Sequence, residues 1–164
     1  MIVYLVRHGI AIDREDPNCP PEIERYLTRE GVKKTRAVAK SIHGTGIKPS
    51  VFISSPYVRC MQTAEIFADE FGYESSKIKQ APNLRPGTNP PDFIKDLGAF
   101  KAQEVICFGH APHMDQLIAH MVGARSPITE LKKAGAACVD MESMIGGKGT
   151  LHWLVSPKLL RRLD

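Results

Sequence analysis

A chain of 164 residues with 43% hydrophobic and 24% charged side chains can bury roughly 70% of its unfolded surface without disulfide or metal staples, and has no room for a second core of that size. Its net charge of +4 comes from basic residues scattered in pairs such as Lys33-Lys34, Lys132-Lys133 and Arg161-Arg162. These pairs lack interleaved aromatics, so they read as solvated helix faces and no nucleic-acid partner is expected.

The chain opens with the apolar run Met1–Val6, followed at once by Arg7. That run is too short for a signal h-region and has no basic lead, so it reads as a buried strand. No stretch approaches the ~18 apolar residues of a membrane span. The cysteines Cys19, Cys60, Cys107 and Cys138 show no CxxC spacing, and two of them fall inside apolar runs where a thiol packs well. Free thiols in a cytoplasmic protein are expected.

Short apolar runs alternate with helical patterns, which predicts a layered α/β domain over residues 1–164. The strands are expected at Ile2–Val6, Val51–Ser54, Lys77–Ala81, Glu104–Gly109, Ala136–Met141 and Thr150–Val155. Thr28 precedes Val32, Val38, Ala39 and Ile42, which are spaced for one helical face; Thr28 is the expected N-cap and His43-Gly44 the expected end. Ser55-Pro56 supplies an N-cap and a first-turn proline for a second helix that carries Cys60, Met61, Ala64, Phe67 and Phe71 and stops at Gly72. A third helix starts near Pro112 and ends before Gly123.

Between Pro82 and Gln103 lies a long irregular segment with a helical piece around Phe93 to Leu97, expected to be the only such segment that shapes a site. Gly146 to Gly149 reads as a hairpin turn. It lacks the Lys-Ser/Thr ending of a phosphate loop.

Two apolar runs end in histidine: Arg7-His8-Gly9 and Gly109-His110. In an open α/β sheet the carboxyl ends of neighbouring parallel strands face one crevice, so these residues can share a site. Gly9 allows close backbone approach to an anion, Arg7 offers a planar fork of donors, and His8 offers a nitrogen that is neutral near pH 7. Arg59 adds a second guanidinium in the first turn of a helix, whose N-terminus favours negative charge. Each element alone also fits a polar strand or helix end. Together they describe a pocket for a tetrahedral dianion.

In order along the chain, Leu5-Val6-Arg7-His8-Gly9, Leu27-Thr28 with Glu30-Gly31, Ser54-Ser55-Pro56 with Arg59 and Gln62-Thr63-Ala64, and Gly109-His110 with Pro112 resemble the histidine phosphatase superfamily. The resemblance extends to its small SixA-type phosphohistidine phosphatase branch, which Lys132-Lys133-Ala134-Gly135 also matches. It implies a phosphoglycerate mutase-like three-layer α/β/α sandwich with a mainly parallel sheet. It also implies that His8 attacks phosphorus to give a phosphohistidine intermediate, with Arg7, Arg59 and His110 holding the phosphoryl oxygens alongside the Gly9 backbone.

Mutase-like members of the family carry a general acid in the loop after the third strand. Here that stretch reads Asn83-Leu84-Arg85-Pro86 with no carboxylate before Asp92. An ordinary ester needs the donor more than a protonatable phosphoimidazole does, so the gap favours phosphohistidine on a signalling or phosphotransfer protein. Asp92 and Asp13 are the remaining candidates for an acid. No metal or cofactor is expected: His8, His110 and His113 sit among arginines that repel a divalent cation. His113 is expected at the rim or as a helix cap. The alternatives are a phosphatase or mutase for small phosphate esters, and a phosphate-binding module without turnover.

Overall fold

The computed structural model describes residues 1–144 and 147–160. Its centre is a sheet of six strands: β1 (Ile2–Arg7), β2 (Val51–Ser54), β3 (Lys79–Gln80), β4 (Glu104–Gly109), β5 (Ala136–Met141) and β6 (Gly149–Val155). Their order is β3-β2-β4-β1-β5-β6. The first four run parallel, and β5 and β6 form an antiparallel edge.

Alternation along β1 divides the core. Tyr4 and Val6 pack on one side with Phe52, Phe67 and Phe108, together with Val38 and Ile42 of α1 (Arg29–Gly44) and Ala64 of α2 (Val58–Phe71). Val3 and Leu5 pack on the other with Phe93 and Leu97 of α3 (Pro90–Leu97), and Met114 and Leu117 of α4 (His113–Met121). Because successive strand side chains point to opposite faces, one buried strand serves both layers. A short α5 (Pro157–Leu160) adds Leu160 to the first layer.

Most expected elements are present. Thr28 caps α1, its hydroxyl accepting from Gly31 N at 3.0 Å, and Gly72 ends α2 at φ 64°. Three details differ. Gly44 is still helical, and the positive φ falls on Gly46. β3 shrinks to two residues, because Ser75–Lys77 forms a 3-10 turn. Ser55 does not cap α2, whose N-cap is Tyr57. Of the predicted hairpin turn, Gly146 lies outside the described residues, as do Arg161 and Arg162.

Candidate active site

Register builds the site. Arg7 at the end of β1 pairs with Gly109 at the end of β4, and Ser54 at the end of β2 pairs with Phe108. The next residues continue the alignment: His8 N donates to Gly109 O at 2.9 Å, and Ser55 N donates to Phe108 O at 2.9 Å. His8, His110 and the start of α2 therefore converge at the carboxyl ends of neighbouring parallel strands, where α/β folds bind ligands. The two imidazoles lie 5.3 Å apart between ring centroids.

Hydrogen bonds fix the orientation of each ring. His8 Nδ1 lies 2.7 Å from the Gly9 carbonyl, which only accepts, so the proton sits on Nδ1 and the Nε2 lone pair is exposed to the cavity side. Arg59 donates its Nε–H to that Nε2 at 3.3 Å. Arg59 also donates from Nη2 to His110 Nδ1 at 3.1 Å, and His110 Nε2 lies 2.9 Å from Ser55 Oγ. The neutral His110 ring thus carries its proton on Nε2. Ser55, expected as a helix cap, is spent on orienting this ring.

Both rings are kept neutral. Burial, followed by the Arg59, Arg7 and Lys133 charges, pushes His8 down to about 3 despite the opposing Gly9 bond. His110 is lowered to about 2, first by burial and then by His8 and Arg59. Desolvation outweighs the neighbouring cations as the cause.

The backbone behind the rings is tied from several sides. Gly9 N donates to Thr63 Oγ1 at 3.1 Å, and Thr63 Oγ1 donates to Arg59 O at 2.7 Å. A Cβ on Gly9 would lie 2.3 Å from Thr35 Oγ1, so the residue is glycine for close packing. Gln62 Oε1 accepts from Leu27 N at 2.7 Å, and Thr28 N bonds Ile10 O at 2.9 Å. Across the cleft, Ala134 N donates to the carbonyls of Arg7 and His8, each at 3.1 Å. Arg7 Nη1 donates to Leu131 O at 2.8 Å, while its Nε is buried with no acceptor. The Leu131 strap is held by buried Asp115, whose Oδ1 accepts from Thr129 Oγ1 at 2.7 Å and Leu131 N at 2.8 Å.

These groups line a cavity of about 430 Å³ whose wall includes Arg7, His8, Arg14, Glu22, Arg25, Tyr57, Arg59, Pro86, His110 and Lys133. The segment from Pro82 to Gln103 contributes only Pro86, and the irregular stretch after β1 contributes Arg14, Glu22 and Arg25. The expectation of a single shaping segment is thereby corrected. Asp13 and Asp92 are exposed and do not line the cavity. Asp13 Oδ1 accepts from Glu15 N, and Asp92 stands beside the residues of α3 that pack inward, Phe93, Ile94 and Leu97.

The carboxylate in the wall is Glu22, which sequence reading missed. Its Oε1 accepts from Arg59 Nη2 at 2.9 Å and its backbone carbonyl from Arg59 Nη1 at 2.7 Å. Arg14 pairs with it from Nε at 2.9 Å and Nη2 at 3.0 Å, and Arg25 from Nη1 at 3.2 Å. Arg14, then Arg59 and Arg25, hold the Glu22 carboxyl down to about 2, against the opposing effect of burial. No periodicity or spacing marks residues in such a stretch. The pattern Glu22-x-x-Arg25 ahead of Leu27-Thr28 is the only signal available.

His113 is buried at 1% exposure and lies neither at the rim nor in a capping position. Its Nε2 meets Thr88 Oγ1 at 3.3 Å. Among the described residues no cluster of three or more His, Cys, Asp or Glu is placed to hold a metal ion. A larger cleft of about 520 Å³, bordered by Ile94, His120, Met141 and Met144, includes neither His8 nor His110 and lacks convergent charged groups.

A pocket with two neutral imidazoles, buried guanidinium donors and a strand-end glycine is suited to binding a phosphoryl group and presenting a nitrogen nucleophile to it. Residues 3–86 match the model of the histidine phosphatase superfamily, branch 1, and the chain belongs to that family. Over 146 residues, 82% of each chain, it is 31% identical to an uncharacterised protein of Picosynechococcus sp.. Similarity also reaches the phosphohistidine phosphatase SixA of Escherichia coli (strain K12), 27% identical over 161 residues, 96% of this chain and 94% of that one. The solved structure of the protein histidine phosphatase SixA complexed with tungstate superposes with a TM-score of 0.84 at 26% identity, covering 98% of this chain and 99% of that one. The mostly parallel sheet between helical layers is the phosphoglycerate mutase-like fold that the family resemblance implies.

Proposed function

We propose that residues 1–164 act as one histidine phosphatase domain, a cytoplasmic phosphohistidine phosphatase that uses His8 as nucleophile on a phosphorylated histidine of a signalling or phosphotransfer protein. The observation that carries this reading is the His8 ring itself. Its Nδ1–H is tied to Gly9 O, and its Nε2 lone pair faces the Nε–H of Arg59 at 3.3 Å. Similarity to SixA over nearly the whole chain supports the choice of substrate.

In the first step His8 Nε2 forms a bond to phosphorus as the bond from phosphorus to the substrate imidazole nitrogen breaks; the substrate ring, protonated from solvent on its other nitrogen, leaves as a neutral imidazole. In the second step water attacks the phosphorylated His8, releases inorganic phosphate and restores the neutral ring. The Arg7 and Arg59 guanidinium groups in the cavity wall carry the charge spread over the phosphoryl oxygens, with His110 alongside. Glu22 is ionised and cannot serve as a proton donor. A leaving imidazole tolerates that lack better than an alkoxide does. Four free cysteines, and no helix among the described residues long and apolar enough to cross a membrane, support the cytoplasmic assignment.

The test is release of inorganic phosphate, without added metal, from a phosphohistidine-bearing protein and from a panel of small phosphate esters, by wild type and His8→Ala. Preference for the phosphohistidine, with turnover reduced at least ~10³-fold in the variant, is the expected result. Preference for an ester would overturn the substrate assignment, and phosphate capture without turnover would point to a binding module.

A further inference from the structure

We propose that Glu22 is a resident anion of the phosphoryl cradle, which an incoming phosphoryl group displaces from Arg59 and which returns as inorganic phosphate leaves. The inference rests on the reading of this cavity as a phosphoryl site.

The donors of Arg59 carry the argument. Its Nε–H faces His8 Nε2, its Nη2 serves both His110 Nδ1 and Glu22 Oε1, and its Nη1 serves the Glu22 carbonyl. The two imidazoles are neutral acceptors, and the Glu22 carboxylate is the charged one. A phosphorus atom in line for attack lies roughly 3–3.5 Å from His8 Nε2. Its oxygens then fall against the Nε and Nη2 edge of Arg59, and Nη2 is the donor that Glu22 Oε1 already holds at 2.9 Å. Two anions sharing the Nη2 of one guanidinium repel strongly at such range in a partly buried site.

The way out for Glu22 is also built. Its carboxylate is held independently by Arg14 and Arg25. Arg25 is a fixed post, because its Nε and Nη2 donate to Ile12 O at 3.0 Å and 2.6 Å. Arg14 is 72% exposed and follows the carboxylate. Glu22 opens a single 3-10 turn, Glu22–Glu24, that buries no residue and has no side-chain cap, so shifting it disrupts little packing. On leaving Arg59 the carboxylate keeps its other partners. Arg59 then gives its freed N–H to the phosphoryl oxygen.

Such an arrangement discriminates by charge. A phosphoryl dianion competes with the carboxylate for Arg59, a weaker anion does not, and bound product is expelled by the carboxylate's return. Calorimetric titration of inorganic phosphate into wild type, Glu22→Gln and Glu22→Ala tests it. Both variants keep the backbone carbonyl that Arg59 Nη1 uses, and melting curves check their folding. Binding about tenfold tighter in both variants is expected, with product inhibition by phosphate strengthened in step. Structural damage can only weaken binding, so the sign of the change separates the two causes. Unchanged affinity, or weaker affinity in Glu22→Gln, overturns the proposal while leaving the phosphoryl site standing. Absence of phosphate binding in all three proteins overturns both.

Discussion

Arg59 donates its Nε–H to Nε2 of His8 across 3.3 Å while only 2% of the arginine is exposed. The guanidinium and the proposed nucleophilic nitrogen are thus aligned before any substrate enters, with the Tyr57 ring 5.0 Å from the guanidinium carbon. A lysine keeps the charge and loses the fork, so it cannot face His8, His110 and a phosphoryl oxygen together. Arg59→Lys is expected to lower kcat/KM by about 10²–10³. Steady-state phosphate release measures it, and a value close to wild type would remove Arg59 from the mechanism.

Stability should fall as pH drops from 7 to 5. His8 and His110 have folded values near 3 and 2, and burial also lowers His113. The unfolded chain therefore binds protons below about 6.5 that the folded chain refuses, which costs roughly 2 kcal/mol for each of His8 and His110 by pH 5. Glu22 does not contribute in this window: its lowered value gives stability that is present above the ordinary carboxylate range and lost only as pH falls toward 2. Urea midpoints across the range check the slope, and His8→Gln should flatten it.

Gly31→Ala should be among the most damaging small changes. A Cβ there would meet Ile10 O at 2.1 Å and Ile10 C at 2.9 Å, both backbone atoms that follow His8-Gly9. Either α1 or the loop leading from the site must shift. A loss of about 2–4 kcal/mol is expected by denaturant unfolding, together with weaker phosphate binding.

Asp115 acts on Arg7 through the Leu131 backbone, so its replacement should separate geometry from charge. Asp115→Ala leaves the buried Leu131 N–H without its acceptor, a loss of about 1–3 kcal/mol. With Leu131 O displaced from Arg7 Nη1, kcat should fall about tenfold. Asp115→Asn keeps an oxygen for Leu131 N and should restore most of kcat. A rise in KM alone, with no rescue by Asn, would assign Asp115 a purely structural role.

The central part of the site was legible because its signals are local. A strand that ends in Arg-His-Gly, a second that ends in Gly-His, and a helix with an arginine in its first turn can each be recognised within ten or so residues. The parallel sheet then brings them together without further instruction, since β1, β4 and β2 are neighbours. Ser55 was misread for the same reason: Ser-Pro before a helix is a local capping signal. Its hydroxyl is taken instead by His110, distant in sequence and adjacent only across the sheet.

The sequence by itself determined the alternating strands, the Thr28 cap, the two layers of apolar helix faces and the histidines at strand ends, because each follows from periodicity or from chemistry between near neighbours. Only the tertiary structure decided that Glu22, Arg14 and Arg25 share the cavity with Arg59, that Asp115 braces Arg7, and that Asp13 and Asp92 are not part of its wall. Irregular segments carry no period from which direction can be read. Where their side chains point is set by partners far along the chain, through hydrogen bonds and charge pairing that exist only after the sheet has formed.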